Sequence, residues 1–332
     1  MTLAPGIVAL QVCSLLVSVM LLVAAKEGTA IIRHWDLASG SELQLALERR
    51  TYLISTIVAV FLPLQLLSLF LFINTVDGIS HLFTGAMCAA GALKVNAFGY
   101  PALLLKVVTF LLAGIWLILN RADNQGRDYP LIRVKYWLLL LMVPLILAET
   151  ATQGVYFWRL NPDIITSCCG SLFSKGSKTL ASGIVSAPAA PMALSFFGVM
   201  AATLASGASF LVTKRGGYLF GGMSGIAFPI AIASVISFIS PYIYELPSHH
   251  CPFCLLQREY HFIGYVLYAL LLAGTAAGTG VGMLNRHREV PSIKGPLLQM
   301  QKKLAVVALA SFASAALVVI WKMVFSTLRL LT

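Results

Sequence analysis

The sequence predicts an all-α polytopic transmembrane helical bundle of about eight spans, with residues 1–332 forming a single integral membrane domain. Two observations carry this. Of 332 residues, 59% are hydrophobic and 11% charged, and the mean hydropathy is +0.88. A soluble domain of this length has no interior large enough for so much apolar surface. The apolar residues also come in continuous runs of about 20, the length a helix needs to cross a bilayer. They lack the period-two alternation of a transmembrane barrel.

In chain order the spans read as 6–25, 52–75, 100–119, 134–157, 190–213, 217–240, 260–283 and 304–325. The first has no basic stretch before it and outruns a signal-peptide core, so it reads as a helix, with a cleaved signal ending near Ala24-Ala25 as the alternative. In TAIIRHWDLASGSELQLALERRT, residues 29–51, charged and apolar positions mix, which predicts an amphipathic interfacial helix starting at Ser41 and Glu42. Residues 121–133 form a polar turn-rich loop, and 158–189 form a long Ser/Gly/Lys-rich loop around Ser167-Cys168-Cys169-Gly170. Gly221, Gly222 and Gly225 in the sixth span fit close helix packing.

The formal charge of +11 points away from nucleic acid, because the basic residues are dispersed and no nucleic-acid motif accompanies them. It reads instead as a topology signal. Segments 26–51, 120–135, 214–216 and 284–303 hold 15 of the 23 Lys and Arg residues. Those segments are therefore expected in the cytoplasm and both termini outside. Cys88, Cys168, Cys169, Cys251 and Cys254 then fall on the extracytoplasmic side, where disulfides persist. Only Cys13 lies within a span.

Three short matches share an offset near half the chain. Ser80-His81 recurs as Ser248-His249, MCAAGALK (87–94) aligns with HCPFCLLQ (250–257), and Gly99-Tyr100 aligns with Gly264-Tyr265. They suggest pseudo-repeats 1–166 and 167–332, each a four-helix unit. The alignment puts Cys88 in register with Cys251 and Gly91 with Cys254, so the second copy alone keeps the dithiol.

That dithiol sits in SHHCPFCLLQREYHF, residues 248–262. Read as the opening of the seventh span, the stretch puts Cys251 at the cap, Pro252 at the first helical position and Cys254 in the first turn. A helix N-terminus carries partial positive charge, which favours the thiolate that attacks disulfides. At about 100° per residue Cys251, Cys254, Arg258, His261 and Tyr265 share one stripe. Arg258 then lies about 6 Å deeper than Cys254, a depth at which an arginine needs a partner.

The segment Cys251-Pro252-Phe253-Cys254-Leu255-Leu256-Gln257-Arg258 resembles the C-x-x-C-x-x-[QE]-R motif of the DsbB family of membrane thiol:quinone oxidoreductases. The resemblance covers about eight residues. It implies that Cys251 and Cys254 form a redox disulfide delivering electrons to a quinone, ubiquinone or menaquinone, in a bacterial inner (plasma) membrane, and that Arg258 contacts the quinone; the shared stripe would put His261 and Tyr265 beside it. DsbB proteins are half this size and carry their second cysteine pair after the motif. Here Cys88, Cys168 and Cys169 precede it, an order more similar to the vitamin K epoxide reductase family. Cys168 or Cys169 would receive electrons from a thioredoxin-like extracytoplasmic protein, or one of them would pair with Cys88 as a fixed staple.

Other readings of the same residues stand beside this one. Attachment of c-type haem requires histidine at the position of Leu255 and is excluded. A metal site could use Cys251 and Cys254 with two of His249, His250 and His261, or with Cys168 and Cys169, and haem b is a further alternative. These would make the protein a non-enzymatic metal- or haem-handling carrier, or the membrane subunit of an electron-transfer complex. His261 also reads as a hydrogen-bonded interior histidine, and the role of His81 depends on the repeat. Lys106 is expected to snorkel to the outer surface. Glu149 is expected to be paired or protonated, with proton delivery to quinone as an alternative role.

Overall fold

The computed structural model describes residues 4–36, 39–126, 128–166 and 180–330, without side chains at 180–182. The described residues are helical and contain no strand. Among the described residues eight helices are long and apolar enough to cross a membrane, so the chain is an integral membrane protein with an all-α bundle architecture. Their lipid-facing sides carry large apolar side chains such as Leu15, Val19, Leu67, Leu104 and Leu141. In water those surfaces would be unstable, whereas in hydrocarbon they need no cover.

The chain divides into two compact units. The first comprises Met1–Thr75, Asn96–Asn161 and Arg286–Met300. It contains α1 (Pro5–His34), most of α2 (Glu42–Gly78), α4 (Gly99–Asp123), α5 (Ile132–Trp158) and the start of α11 (Lys294–Phe325). The expected interfacial helix does begin at Glu42, where the Ser41 hydroxyl accepts the Gln44 N–H at 3.3 Å. It is not a separate element, however, because it runs unbroken into the second span. Continuous hydrogen bonding through Arg50 and Thr51 costs less than breaking the helix at the membrane surface.

Within this unit α1 and α5 are held by polar contacts between small faces. Ser18 Oγ and Thr150 Oγ1 lie 2.8 Å apart, and the Gln153 amide donates to the Leu10 carbonyl and to Ser14 Oγ. Two buried ion pairs cross the bundle. Lys106 does not snorkel: its side chain is fully buried and donates to Glu149 Oε1 at 2.8 Å and to Ser68 Oγ at 3.2 Å. Glu149 Oε2 accepts from Gln65 Nε2 and from the Thr109 hydroxyl, so both carboxylate oxygens are occupied. Lys135, counted within the cytoplasmic segment 120–135 and lying at the start of the fourth span, is also buried. It donates to Asp123 Oδ2 at 2.6 Å and to Asn120 Oδ1 at 3.2 Å, while the Leu131 N–H closes Asp123 Oδ1. Pairing wins in both cases because a lone charge in an apolar interior is far more expensive than a hydrogen-bonded pair.

The second unit comprises Val76–Val95, Pro162–Asn285 and Gln301–Thr332. It contains the short α3 (Ala89–Leu93), α6 (Leu180–Ser186), α7 (Ala189–Thr213), α8 (Gly217–Ser234), α9 (Ser240–Tyr244), α10 (Ile263–Asn285) and the rest of α11. A π-helical turn, Val235–Ile239, joins α8 to α9 within one continuous span.

Glycine lets α8 and α10 approach closely. A Cβ on Gly221 would sit 2.7 Å from Gly282 Cα, whereas one on Gly222 would meet nothing within 4 Å. Close packing thus accounts for Gly221 but not for Gly222. Gly221→Val is expected to destabilise the protein by about 1–3 kcal/mol, with Gly222→Ala near neutral. Thermal unfolding of the two variants in the same detergent checks this, and equal midpoints would contradict it.

Candidate functional site

Three thiols converge inside the second unit. Cys88 Sγ and Cys251 Sγ are 3.6 Å apart, in contact but not bonded. The sulfurs of Cys88, Cys251 and Cys254 all lie within 4.8 Å of one another. Cys88 and Cys251 are fully buried and Cys254 is 5% exposed. Cys251 and Cys254 come from the C-x-x-C stretch. Cys88 comes from the segment aligned with it at an offset of 163 residues, so the two cysteines placed in register by the internal match touch each other.

Each loop is fixed by its own hydrogen bonds. Cys88 sits in extended conformation just before α3, whose first N–H, at Ala89, donates to Asp77 Oδ1 at 2.9 Å. The α3 residues Ala89, Ala90, Gly91, Ala92 and Leu93 are all buried, and their small side chains let this turn sit in the interior. Thr166 braces the same loop: its N–H donates to the Thr84 carbonyl at 2.9 Å and its hydroxyl to the Gly91 carbonyl at 3.2 Å. Gly85, at φ +85°, sits where a Cβ would collide with the Thr166 carbonyl oxygen, so both its conformation and its neighbour require glycine.

The dithiol loop is tied by tyrosines. Tyr244 Oη donates to the Cys251 carbonyl and Tyr268 Oη to the Pro252 carbonyl, each at 2.6 Å. His250 is buried, and its Nδ1 faces the carbonyl oxygens of Ile236 and Ser237 at 3.0 and 3.1 Å. Both are acceptors, so Nδ1 carries the proton. The widened π turn presents these carbonyls to the side chain. Gln257 Nε2 donates to the Met87 carbonyl at 2.7 Å, joining the dithiol loop to the residue before Cys88.

This geometry corrects the helical reading of the motif. Cys251-Pro252-Phe253-Cys254 does not open a helix: Cys254–Leu256 and Arg258–Tyr260 are two successive 3-10 turns, and α10 starts only at Ile263. The shared stripe and the helix-terminal stabilisation of a thiolate therefore do not apply to these residues. Arg258 is exposed rather than buried along a span. His261 is exposed too, at φ +55°, so it is not an interior histidine. Tyr265 is half-buried in the first turn of α10. The Gln257 and tyrosine tethers hold this chain in a conformation that a continuous helix would break.

Of the remaining expected site residues, His249 is half-buried with its ring 4.6 Å from that of Tyr244. The tight cluster comprises Cys88 with the dithiol, and neither His249 nor His250 belongs to it. His81 is exposed within the 3-10 turn Ser80–Leu82. Cys168 and Cys169 lie outside the described residues, and Cys13 is in α1 of the other unit. Tyr260 packs its ring 4.5 Å from Tyr244, and burial, then the neighbouring Cys254 and Glu259, push its hydroxyl above the ordinary tyrosine range. It therefore stays protonated at neutral pH.

Sequence reasoning missed Asp77, Tyr244, Tyr268 and the π turn as supports of the site. Their roles depend on backbone carbonyls brought near by folding, and no spacing rule signals them. No protein-family model, curated protein or solved structure matches the chain.

Proposed function

We propose that Cys88, Cys251 and Cys254 are the redox centre of a membrane thiol–disulfide oxidoreductase that exchanges electrons between extracytoplasmic protein dithiols and a lipid-soluble quinone. The observation that supports this best is the 3.6 Å contact between Cys88 Sγ and Cys251 Sγ, with Cys254 Sγ within 4.8 Å of both. A thiolate that attacks a disulfide needs its sulfur in contact with the target sulfur, and three mutually adjacent sulfurs let a disulfide move without the entry of an outside thiol.

With Cys251 and Cys254 oxidised, the Cys88 thiolate attacks Cys251 Sγ. The Cys88–Cys251 bond forms, the Cys251–Cys254 bond breaks, and Cys254 leaves as a thiolate that takes up a proton. Electrons from a substrate dithiol, entering through Cys168 and Cys169, then reduce the Cys88–Cys251 bond by further exchanges, and the substrate ends as a disulfide. In the other half-reaction, the Cys251/Cys254 dithiol gives two electrons and two protons to the quinone and closes its disulfide. The net change is one dithiol oxidised and one quinone reduced to the quinol.

Burial of all three sulfurs means that a folded partner cannot reach them directly. Cys168 and Cys169 keep their proposed place as the entry point for a thioredoxin-like donor. Quinone as oxidant rests on the resemblance of Cys251–Arg258 to the DsbB motif, and the exposed Arg258 guanidinium would meet the head group at the protein surface. The extracytoplasmic orientation rests on the charge bias and the bacterial plasma membrane on the DsbB resemblance, and both belong to this proposal.

The test uses the full chain, reduced and placed in nanodiscs under argon. A fully substituted ubiquinone analogue, to whose ring thiols do not add, is supplied, and alkylatable thiols are counted by mass spectrometry. Wild type is expected to lose two of its six thiols for each quinol formed, and Cys254→Ser to lose none. An unchanged thiol count in wild type refutes the reading.

A further inference from the structure

We infer that the reduced Cys88, Cys251 and Cys254 side chains form a binding site for one thiophilic divalent d10 ion, of which Zn(II) is the type. This rests on the reading of the three thiols as the functional centre and does not require that they be oxidised by quinone.

Three features carry it. The first is distance. Sulfurs about 2.3 Å from a common ion stand about 3.8 Å apart in a tetrahedron and about 4.0 Å apart in a plane. The three sulfurs here include one separation of 3.6 Å and none beyond 4.8 Å, so an ion at their centre needs only small side-chain adjustments.

The second is preorganisation. The ligands lie on two loops whose backbones are already tied by Asp77, Tyr244, Tyr268 and Gln257. Little ordering is left for the ion to impose.

The third is charge. Three thiolates with a divalent ion leave one net negative charge in a buried site, whereas a monovalent ion such as Cu(I) leaves two. Burial favours the smaller residual charge. Thiolate ligands also select this class over the hard cations Mg(II) and Ca(II).

Loading releases the protons of the thiols, so retention weakens on acidification. It also engages the sulfurs that the exchange chemistry uses. A loaded centre is therefore closed to oxidation, and metal occupancy and disulfide formation exclude each other.

The experiment loads the reduced full chain in nanodiscs with Zn(II), Cd(II) or Cu(I), removes loosely held ions by gel filtration, and counts metal per chain by mass spectrometry. Wild type and Cys13→Ser are expected to keep one Zn(II) or Cd(II). Cys88→Ser, Cys251→Ser and Cys254→Ser should each bind at least 10-fold more weakly.

The cadmium–thiolate charge-transfer absorbance of wild type gives a readout that no folding defect in a variant can confuse, and its intensity should correspond to three thiolates. Substoichiometric metal in reduced wild type, an intensity for fewer than three thiolates, retention unaffected by Cys88→Ser, or capture of Cu(I) alone would each overturn the inference. Quinone-dependent thiol oxidation measured on the metal-free protein is a separate readout. Loss of that activity with stoichiometric zinc retained sinks the oxidoreductase and leaves the metal site, and the reverse pattern does the opposite.

Discussion

Replacing Lys106 with methionine is expected to destabilise the protein by about 3–5 kcal/mol, because it strands the Glu149 carboxylate in an interior with no compensating charge. Among the described residues Lys106 Nζ is the cation paired with that carboxylate, at 2.8 Å, and both side chains are essentially unexposed. Gln65 and Thr109 would still donate to Oε2, so part of the carboxylate's solvation survives and the variant should fold with a lowered unfolding midpoint. The double variant Lys106→Met/Glu149→Leu removes both charges at similar volume and should recover most of the loss, since a buried pair replaced by apolar groups is often close to neutral. Detergent unfolding curves for the four proteins of this cycle give the coupling directly. If the double variant were as unstable as the single one, the pair would have a role beyond mutual neutralisation.

Removal of Cys88 should separate the two halves of the proposed exchange. In Cys88→Ser, quinone-dependent closure of the Cys251–Cys254 disulfide is expected to persist within a few-fold, because neither bond-forming sulfur is altered. Turnover of a reduced dithiol protein substrate should fall on the order of 10²-fold or more, the scale seen when one member of a catalytic unit is removed. In Cys251→Ser both activities should disappear, since Cys251 is the sulfur shared by the two disulfides. Unchanged substrate turnover in Cys88→Ser would remove Cys88 from the relay and reduce the centre to the C-x-x-C pair.

The eight spans were legible in the sequence because hydropathy is a local property: about 20 apolar residues must be helical in hydrocarbon whatever their neighbours are. Most helices do extend beyond the apolar windows. The first reaches His34 and the second begins at Glu42, since helical hydrogen bonding continues past the point where composition turns polar. The geometry of the dithiol was not legible. A helical wheel assumes a helix, and residues 251–262 form bends and 3-10 turns instead, so Arg258 and His261 ended on the surface. The internal match at an offset of 163 residues held the better clue to the site, because it singled out Cys88 as the counterpart of Cys251.

The sequence alone determined the membrane class, the spans and the inventory of thiols, all of which follow from composition within short windows. Only the tertiary structure decided that Cys88 meets the dithiol, that Lys106 pairs with Glu149 and does not snorkel, and that the dithiol loop hangs on Tyr244, Tyr268 and Gln257. Each of these is set by groups distant in the chain, such as Cys88 and Cys251, meeting in an apolar interior where every polar atom must find a partner. That requirement acts on the folded arrangement and leaves no periodicity behind in the sequence.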